Sequence, residues 1–366
     1  MLSFAAVIIL TGVLTAASCA LVGTFLVLRK MSMVGDAISH TVLLGIVGVF
    51  ALTGSRAAPL MVLGAGAVGL LTVFLIEVVN RTGRVREDAA IGLVFPALFA
   101  VGVIIVSRFP SGVHIDVQHV LYGEITFAPL RRLELFGREW GYESLWVLGG
   151  MTVANLLFVL LLYKELKLST FDPGFAAAVG FAPVVVHYAL TAMVSATAVV
   201  AFDSVGAILV VAMLIVPSAT AYLLTDRLAV MIGLAVGCGA VAAVGGYYLA
   251  RSIDGSIAGA MASVAGGLFA LAFLASPRHG VVARLVRLAR LRRAFAQRLL
   301  VSHLEGQHGT ADLPALRQRF RWSPRAERAV VHAAVSDGLV ERPANGHLVL
   351  TERGRVVARQ SGVPVE

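Results

Sequence analysis

The sequence predicts a mainly α-helical protein that crosses a membrane about nine times and ends in a small mixed domain outside the membrane. Of the 366 residues, 58% are hydrophobic and 14% are charged, and the mean hydropathy is +0.87. Soluble domains are about half apolar and about a quarter charged. The apolar residues also fall into runs of bilayer-spanning length. Composition and run length together exclude a single water-soluble globular fold.

Nine apolar runs are predicted to form transmembrane helices. They cover residues 4–28, 36–53, 59–79, 88–107, 145–163, 182–201, 204–224, 228–250 and 256–275. Residues 201–204 alone join the sixth run to the seventh, which predicts a tight hairpin or a re-entrant segment. The glycine pairs Gly233–Gly237 and Gly255–Gly259 are spaced as in helices that pack closely in lipid.

Basic residues predict which end of the bundle faces the cytoplasm. They follow the first, third, fifth and seventh runs, at Arg29, Lys30, Arg81, Arg84, Arg86, Lys164, Lys167 and Arg227. Because cytoplasmic loops are enriched in lysine and arginine, these loops are predicted to be cytoplasmic. Nine spans then place the N-terminus outside and the C-terminus inside. The polar connection 108–144 becomes an external loop, and its His114 and His119 are interpreted as surface residues.

Asp36 and His40 are the most informative polar residues in the apolar part of the chain. They are four apart and therefore share one face of the second predicted helix, which they open. A carboxylate and an imidazole inside a membrane are costly, and together they suit a first-row divalent metal ion. The alternative is an N-cap aspartate and an interfacial histidine bonded to a neighbouring helix. The pair alone leaves both interpretations open.

A short helix is predicted in the cytoplasmic loop after the fifth run, within residues 165–180. Asp172 is suited to be its N-cap and Pro173 its first residue, because the first helical turn does not use the amide hydrogen that proline lacks. An ordinary capped loop is the simpler interpretation of these residues taken alone.

The chain becomes basic after residue 276. Residues 277–309 are predicted to form an amphipathic linker helix with arginines at 284, 287, 290, 292, 293 and 298. We interpret this helix as a surface for anionic lipid headgroups rather than for nucleic acid.

Residues 310–366 are predicted to form a winged helix-turn-helix. A short helix covers 312–320, and a second helix starts at Ser323–Pro324 and ends at Gly338. Residues 339–342 and 347–350 form two strands, and a last helix begins near Thr351.

Four stretches carry a family resemblance. They are LRKMSMVGDAISH (28–40), LYGEI (121–125), STFDPGFA (169–176) and GAILVVAMLIVP (206–217). With these stretches in the family's order, residues 1–276 resemble the permease subunits of bacterial ABC importers for manganese, zinc or ferrous iron, the ABC-3 family. One departure is Gly174, where the family often has glutamate.

The resemblance implies a multi-pass permease of the bacterial cytoplasmic membrane that pairs with itself or with a sister permease. It implies cytoplasmic ATPase subunits, an external metal-binding protein, a transported divalent metal ion and no permanently bound cofactor. It places Asp36 and His40 on the metal path. Asp203, at the external hairpin, is a third candidate for metal contact, with capping of the seventh helix as its alternative role.

Contact with the ATPase is assigned, by the same resemblance, to Glu165, Phe171, Asp172, Pro173 and Gly174. The 366 residues contain no Gly-x-x-x-x-Gly-Lys-Ser/Thr loop, so the chain is predicted not to be an ATPase itself.

The C-terminal domain resembles the DNA-binding domain of metal-dependent repressors of the diphtheria-toxin-repressor type. Arg325 and Arg328 on its second helix are suited to contact phosphate or a protein partner. Acidic Glu327 and Asp337 lie on the same helix, so a regulatory or assembly role is preferred to DNA binding. Two whole-chain alternatives stay open: a proton-coupled secondary transporter that uses Asp36 and His40 as a relay, and a membrane-anchored metal-responsive regulator.

Overall fold

The computed structural model describes residues 3–54, 58–108, 125–135, 138–277, 280–306, 310–311, 316, 319–341 and 347–361. Over these residues the chain divides into two compact units, Met1–Ser276 and Pro277–Glu366, which are described separately. The predicted loop residues His114, His119 and Glu124, and most of the helix predicted at 312–320, lie outside the described residues.

The first unit is a helical bundle. In chain order its elements are α1 (Phe4–Leu28), α2 (Ser32–Thr53), α3 (Ala58–Arg81), α4 (Glu87–Ser107), a 3-10 turn (Ile125–Phe127), β1 (Arg132–Leu135), β2 (Arg138–Tyr142), α5 (Glu143–Leu161), α6 (Tyr163–Phe171), α7 (Pro173–Ala178), α8 (Pro183–Val205), α9 (Ala207–Leu224), α10 (Leu228–Ile253) and α11 (Ile257–Ala275). Within the described ranges, nine of these helices are long and apolar enough to span a membrane, which confirms the predicted number. α6 was not predicted.

Helix α1 lies at the centre of the bundle, against α5, α8, α9 and α10. Close approach depends on small residues, since a methyl group added at Gly23 would lie 2.0 Å from the backbone oxygen of Leu214. The glycines predicted for this task do not perform it within the described part of the chain, since Gly255 and Gly259 meet only the nearby Ile253 and Ser256. An added methyl group at Gly233 or Gly237 meets nothing within 4 Å, so these residues do not bring helices of this chain together.

Hydrogen bonds inside the bundle tie α1 to its neighbours. The fully buried Asn155 of α5 donates from Nδ2 to the backbone oxygen of Ser18 at 2.9 Å and to Thr197 Oγ1 at 2.8 Å. Thr11 and Ser144 share a hydroxyl hydrogen bond at 3.2 Å. In lipid such bonds matter because water is not available as a substitute partner.

Helix α2 packs between α3 and α4. Thr72 of α3 donates to Thr41 of α2 at 2.9 Å, and a methyl group added at Gly45 of α2 would lie 2.5 Å from Ala65 Cα. On the α4 side, a methyl group added at Gly102 would lie 3.2 Å from Leu44 Cα. These close contacts fix the rotation of α2 about its axis and the face it turns toward α4.

Helices α8 and α9 are separated by one residue. Gly206, with φ 87 and ψ 157, adopts a backbone conformation that favours glycine and ends α8 before α9 begins. The predicted junction at residues 201–204 is therefore displaced, because α8 continues through Val205.

The second unit has its own small core. Its elements are α12 (Val281–Gly306), β3 (Thr310–Ala311), α13 (Pro324–Ser336), β4 (Val340–Glu341), β5 (Leu348–Leu350) and α14 (Glu352–Ser361), with the strands antiparallel in the order β3-β5-β4. Ser323 accepts a hydrogen bond from the amide of Ala326, and Gly338 has φ 67, as expected for the two ends of α13. Leu300 and Leu304 of α12 are fully buried in this core.

Candidate functional site

Asp36 lies within α2 and does not cap it. Helix α2 starts at Ser32, four residues earlier than the sequence predicted, and its N-cap is Met31. Gly35 does not interrupt the helix. It packs against Leu214, whose Cδ2 would lie 2.5 Å from an added methyl group. The N-cap interpretation of Asp36 is therefore wrong, and its carboxylate is available for another role.

Asp36 and His40 lie side by side on α2. His40 Nε2 and Asp36 Oδ1 are 3.7 Å apart, which is too long for a hydrogen bond. Two donor atoms that each bind one ion at about 2.0–2.2 Å can be separated by as much as about 4 Å. The side chains are 39% exposed for His40 and 44% exposed for Asp36. The pair can therefore share one metal ion and still accept ligands from outside the chain.

Two phenylalanines of α4 hold the imidazole. The ring of Phe95 stacks on His40 with centroids 5.4 Å apart and an interplanar angle of 25°. The ring of Phe99 meets it edge-on at 6.2 Å and 79°. These contacts favour one orientation of the imidazole, with Nε2 toward Asp36. Sequence reasoning missed both residues, because only the packing of α4 on α2 brings them to His40.

The described residues of one chain supply only part of a metal coordination sphere. Among the described residues, no group of three or more His, Cys, Asp and Glu side chains is placed to hold a metal ion. Asp36 and His40 therefore offer one oxygen and one nitrogen ligand, and a tightly held ion needs further ligands.

Asp203 is not brought together with Asp36 and His40. It lies in the last turn of α8, and its Oδ2 accepts from Arg131 Nη1 at 2.8 Å. A methyl group added at Gly69 would meet both Ile38 of α2 and Ser195 of α8, so these residues share one level of the bundle. Asp203 lies about 12 Å beyond Ser195 along α8. It does not cap α9 either, since the N-cap of that helix is Gly206.

Arg131 joins two carboxylates at this end of the bundle. Besides Asp203, it contacts Glu143 at the start of α5, with Nε and Oε2 3.2 Å apart. Burial lowers the pKa of Arg131, but the two carboxylates outweigh burial and raise it above its ordinary value. The ion pairs fix the start of α5 to the end of α8.

The segment around α7 folds locally as predicted. Asp172 Oδ1 accepts a hydrogen bond from the amide of Phe175 at 2.9 Å, and Pro173 is the first residue of α7. Phe171, at the end of α6, is 60% exposed, and Phe175 and Val179 are 54% and 55% exposed. Phe175 and Val179 are four residues apart along α7 and its C-cap, so they lie on one side of that helix. A methyl group added at Gly174 would meet only Asp172 within 4 Å. Glu165 lies half-buried at the start of α6.

Arg29, the residue that follows α1, contacts the end of α6. From the sequence it was used only to predict which end of the bundle faces the cytoplasm. The guanidinium of this half-buried residue donates to Ser169 and Thr170, at the end of α6. Burial lowers the pKa of Arg29. No spacing rule signals this contact, because its partners lie far along the chain.

In the second unit, Arg325 and Arg328 are exposed on α13. Arg328 Nε donates to the backbone oxygen of Pro324 at 3.1 Å, so part of its guanidinium is bonded to its own helix.

Among the described residues, nine helices have the length and composition to span a membrane, and they define a polytopic membrane protein; one of them carries the carboxylate–imidazole pair. The ABC 3 transport family matches residues 1–276, and the chain belongs to this family. It is accordingly a multi-pass protein of the inner membrane.

Relatives cover the chain to different extents. The manganese transport system membrane protein MntD of Bacillus subtilis is 50% identical over 78% of this chain and 97% of its own length. The zinc transport system membrane protein TroD of Treponema pallidum is 44% identical over 96% of this chain and 97% of its own length. A solved structure, PsaBC from Streptococcus pneumoniae in complex with Fab, matches with a TM-score of 0.64 at 30% identity, over 79% of this chain and 96% of that one.

Proposed function

We propose that this chain is the permease subunit of an ATP-driven importer of a divalent transition-metal ion: manganese, zinc or ferrous iron. Family membership supports the transport role, and the names of the manganese and zinc relatives support the substrate class. The observation that carries the proposal is the Asp36–His40 pair, half-exposed on a membrane-spanning helix. Carboxylate and imidazole replace part of the water shell of such an ion.

A second permease, identical or sister, completes the ion's ligands in this proposal. The reason is the number of metal ligands. Within the described residues, Asp36 and His40 supply two ligands per chain, and a zinc site commonly needs four. Two copies that present these faces to each other would supply four.

Metal uptake in cells tests the pair. Asp36→Asn and His40→Gln keep side-chain size and remove metal affinity, so each is expected to lower uptake of radioactive manganese or zinc at least about tenfold. Asp203→Asn is the matched control. It breaks a pair with Arg131 away from Asp36 and is expected to retain most uptake. Full uptake by both Asp36→Asn and His40→Gln would overturn the proposal.

The segment around α7 is proposed to dock a separate ATPase subunit. Phe171, Phe175 and Val179 are exposed apolar side chains outside the spanning helices, and Asp172 caps the helix that carries Phe175. Phe175→Ser is expected to reduce copurification of the ATPase. The control is Phe127→Ser, which changes an equally exposed phenylalanine (49%) in the turn that precedes Arg131. Equal recovery of the ATPase with both variants would contradict this assignment.

The first half of α12 is proposed to lie on anionic lipid, with the C-terminus in the cytoplasm. Leu285 is 61%, Leu291 60% and Phe295 61% exposed, and the intervening arginines are exposed as well. Amide exchange at 284–295 is expected to be slower in nanodiscs of anionic lipid than of zwitterionic lipid. Equal exchange in the two lipids would contradict it.

Residues 310–366 are proposed to form a winged helix-turn-helix with a regulatory or assembly role. The resemblance of residues 322–354 to such domains is the basis of this proposal, and the alignment with the zinc transport relative reaches into this region. A gel-shift assay of the fragment 281–366 tests the role. Weak binding that is independent of DNA sequence is expected, whereas salt-sensitive and sequence-selective binding would establish DNA recognition through Arg325 and Arg328.

A further inference from the structure

Arg29 forms a two-pronged contact between the turn before α2 and the end of α6. Its Nε donates to Thr170 Oγ1 at 3.1 Å, and its Nη2 donates to Ser169 Oγ at 2.8 Å. A planar guanidinium that engages two neighbouring hydroxyls fixes both distance and orientation. These two hydrogen bonds are called the Arg29 link below.

The Arg29 link is rigidly mounted on the α2 side. Lys30, with φ 61, closes the turn with a bond from its amide to the backbone oxygen of Val27 at 3.1 Å. The amide of Met31 donates to the backbone oxygen of Leu26 at 2.9 Å, and α2 starts at the next residue. Asp36 lies little more than one helical turn further on. A displacement of Arg29 therefore moves the start of α2 rather than being absorbed in a loop.

The Arg29 link is also rigidly mounted on the α7 side. Ser169 is only 8% exposed, and its Oγ donates back to the oxygen of Leu166 at 3.3 Å. Thr170 is separated from the N-cap of α7, Asp172, by one residue. The amide of Asp172 donates to the oxygen of Leu168 at 2.9 Å, so α6 and α7 meet without a free linker.

We propose that the Arg29 link transmits movement of α7 to Asp36 and His40, so that ATP hydrolysis in the partner subunit drives metal release. Arg29 is a positioning residue in this proposal and does not touch the ion. The inference rests on the proposed function, because it takes α7 as the ATPase-docking helix and Asp36 with His40 as the metal pair. It adds the physical connection between them.

The experiment measures metal ions transported per ATP hydrolysed, in proteoliposomes that hold the complete transporter with its ATPase and metal-binding protein. Arg29→Gln removes the donors from one side. Ser169→Ala combined with Thr170→Val removes the acceptors from the other side without a change of charge and with little change of volume. Arg84→Gln, at an exposed arginine in the loop after α3, is the matched control.

Both link variants are expected to hydrolyse ATP at near wild-type rates but to transport about tenfold fewer ions per ATP. A change of this size lies within the range that substitutions along a coupling network produce. Arg29→Lys keeps the positive charge but not the two-pronged guanidinium, and the number of ions that it transports per ATP is expected to lie between those of wild type and Arg29→Gln. Zinc binding to each variant is expected to stay within about twofold of wild type. A purely structural role would lower transport and hydrolysis together and leave their ratio unchanged.

An unchanged ratio in both link variants would overturn the Arg29 link and leave the proposed function standing. Transport by the Asp36→Asn and His40→Gln transporters at the wild-type rate would instead overturn the proposed function. The two failures are distinguishable because the ratio is measured in transporters whose metal pair is intact.

Discussion

The stacking of Phe95 on His40 predicts a measurable contribution to metal affinity. Phe95→Leu keeps an apolar side chain against α2 but removes the ring that lies 5.4 Å from the imidazole at 25°. Without the ring, His40 samples other rotamers, and metal binding must then order it. An aromatic pair contributes about 0.5–1.5 kcal/mol beyond buried area, and this energy sets the upper size of the effect.

That energy corresponds to about 2- to 13-fold weaker metal binding. Phe99→Leu removes the edge contact at 6.2 Å and is expected to have a smaller effect in the same direction. Phe95→Tyr keeps the ring and is expected to bind within about twofold of wild type. Titration calorimetry of zinc into the purified permease in nanodiscs measures these affinities.

The matched control is Phe273→Leu. This residue also takes part in a stacked pair, with Phe269 at 6.1 Å, but both residues lie on α11. It is expected to leave zinc affinity unchanged. Zinc affinity in Phe95→Leu equal to wild type, together with loss of binding in His40→Gln, would refute the idea that the phenylalanine ring orients the ligand.

Two further predictions concern stability. Gly246→Ala would place its methyl carbon 2.3 Å from Met261 Cα, so this substitution is expected to destabilise the bundle by about 1–3 kcal/mol. Gly233→Ala meets nothing within 4 Å, so its effect on stability should be neutral or slightly favourable. Thermal unfolding in detergent compares the two variants, and equal unfolding midpoints would contradict the packing of α10 on α11. In the second unit, burial lowers the pKa of His303 below its ordinary value of 6.5, and Arg319 lowers it further. The unfolded chain therefore takes up the proton first, and stability is lost as pH falls below about 6.5. Urea unfolding of the fragment 281–366, measured from about pH 5 to about pH 7.5, should show this loss of stability, and His303→Phe should reduce it. The same pH dependence in the wild-type and His303→Phe fragments would rule out His303 as its source.

The sequence predicted the features that short-range chemistry determines. Runs of apolar residues predicted nine spans because a bilayer needs helices of a minimum length, whatever their partners. The capping residues Asp172 and Ser323 predicted the starts of α7 and α13, since a side-chain oxygen satisfies an amide only three residues away. Asp36 and His40 were found because their spacing is itself a local property.

The features that the sequence did not predict depend on contacts between distant parts of the chain. The apolar run suggested that α2 starts at residue 36, but the helix starts at Ser32, and Gly35 inside it packs against Leu214. The spacing of Gly233 and Gly237 suggested a helix contact, but an added methyl group at either position meets none of the described residues within 4 Å. The partners of Arg29 are 140 and 141 residues away, so no pattern around it could reveal them.

X-ray absorption on the zinc-loaded permease tests the central claim most directly, because it reports the atoms bound to the metal. The account predicts a first shell of nitrogen and oxygen at about 2.0–2.2 Å that is lost when Asp36→Asn and His40→Gln are combined. A spectrum that survives the double substitution unchanged, or a first shell of sulfur at about 2.3 Å, would contradict it.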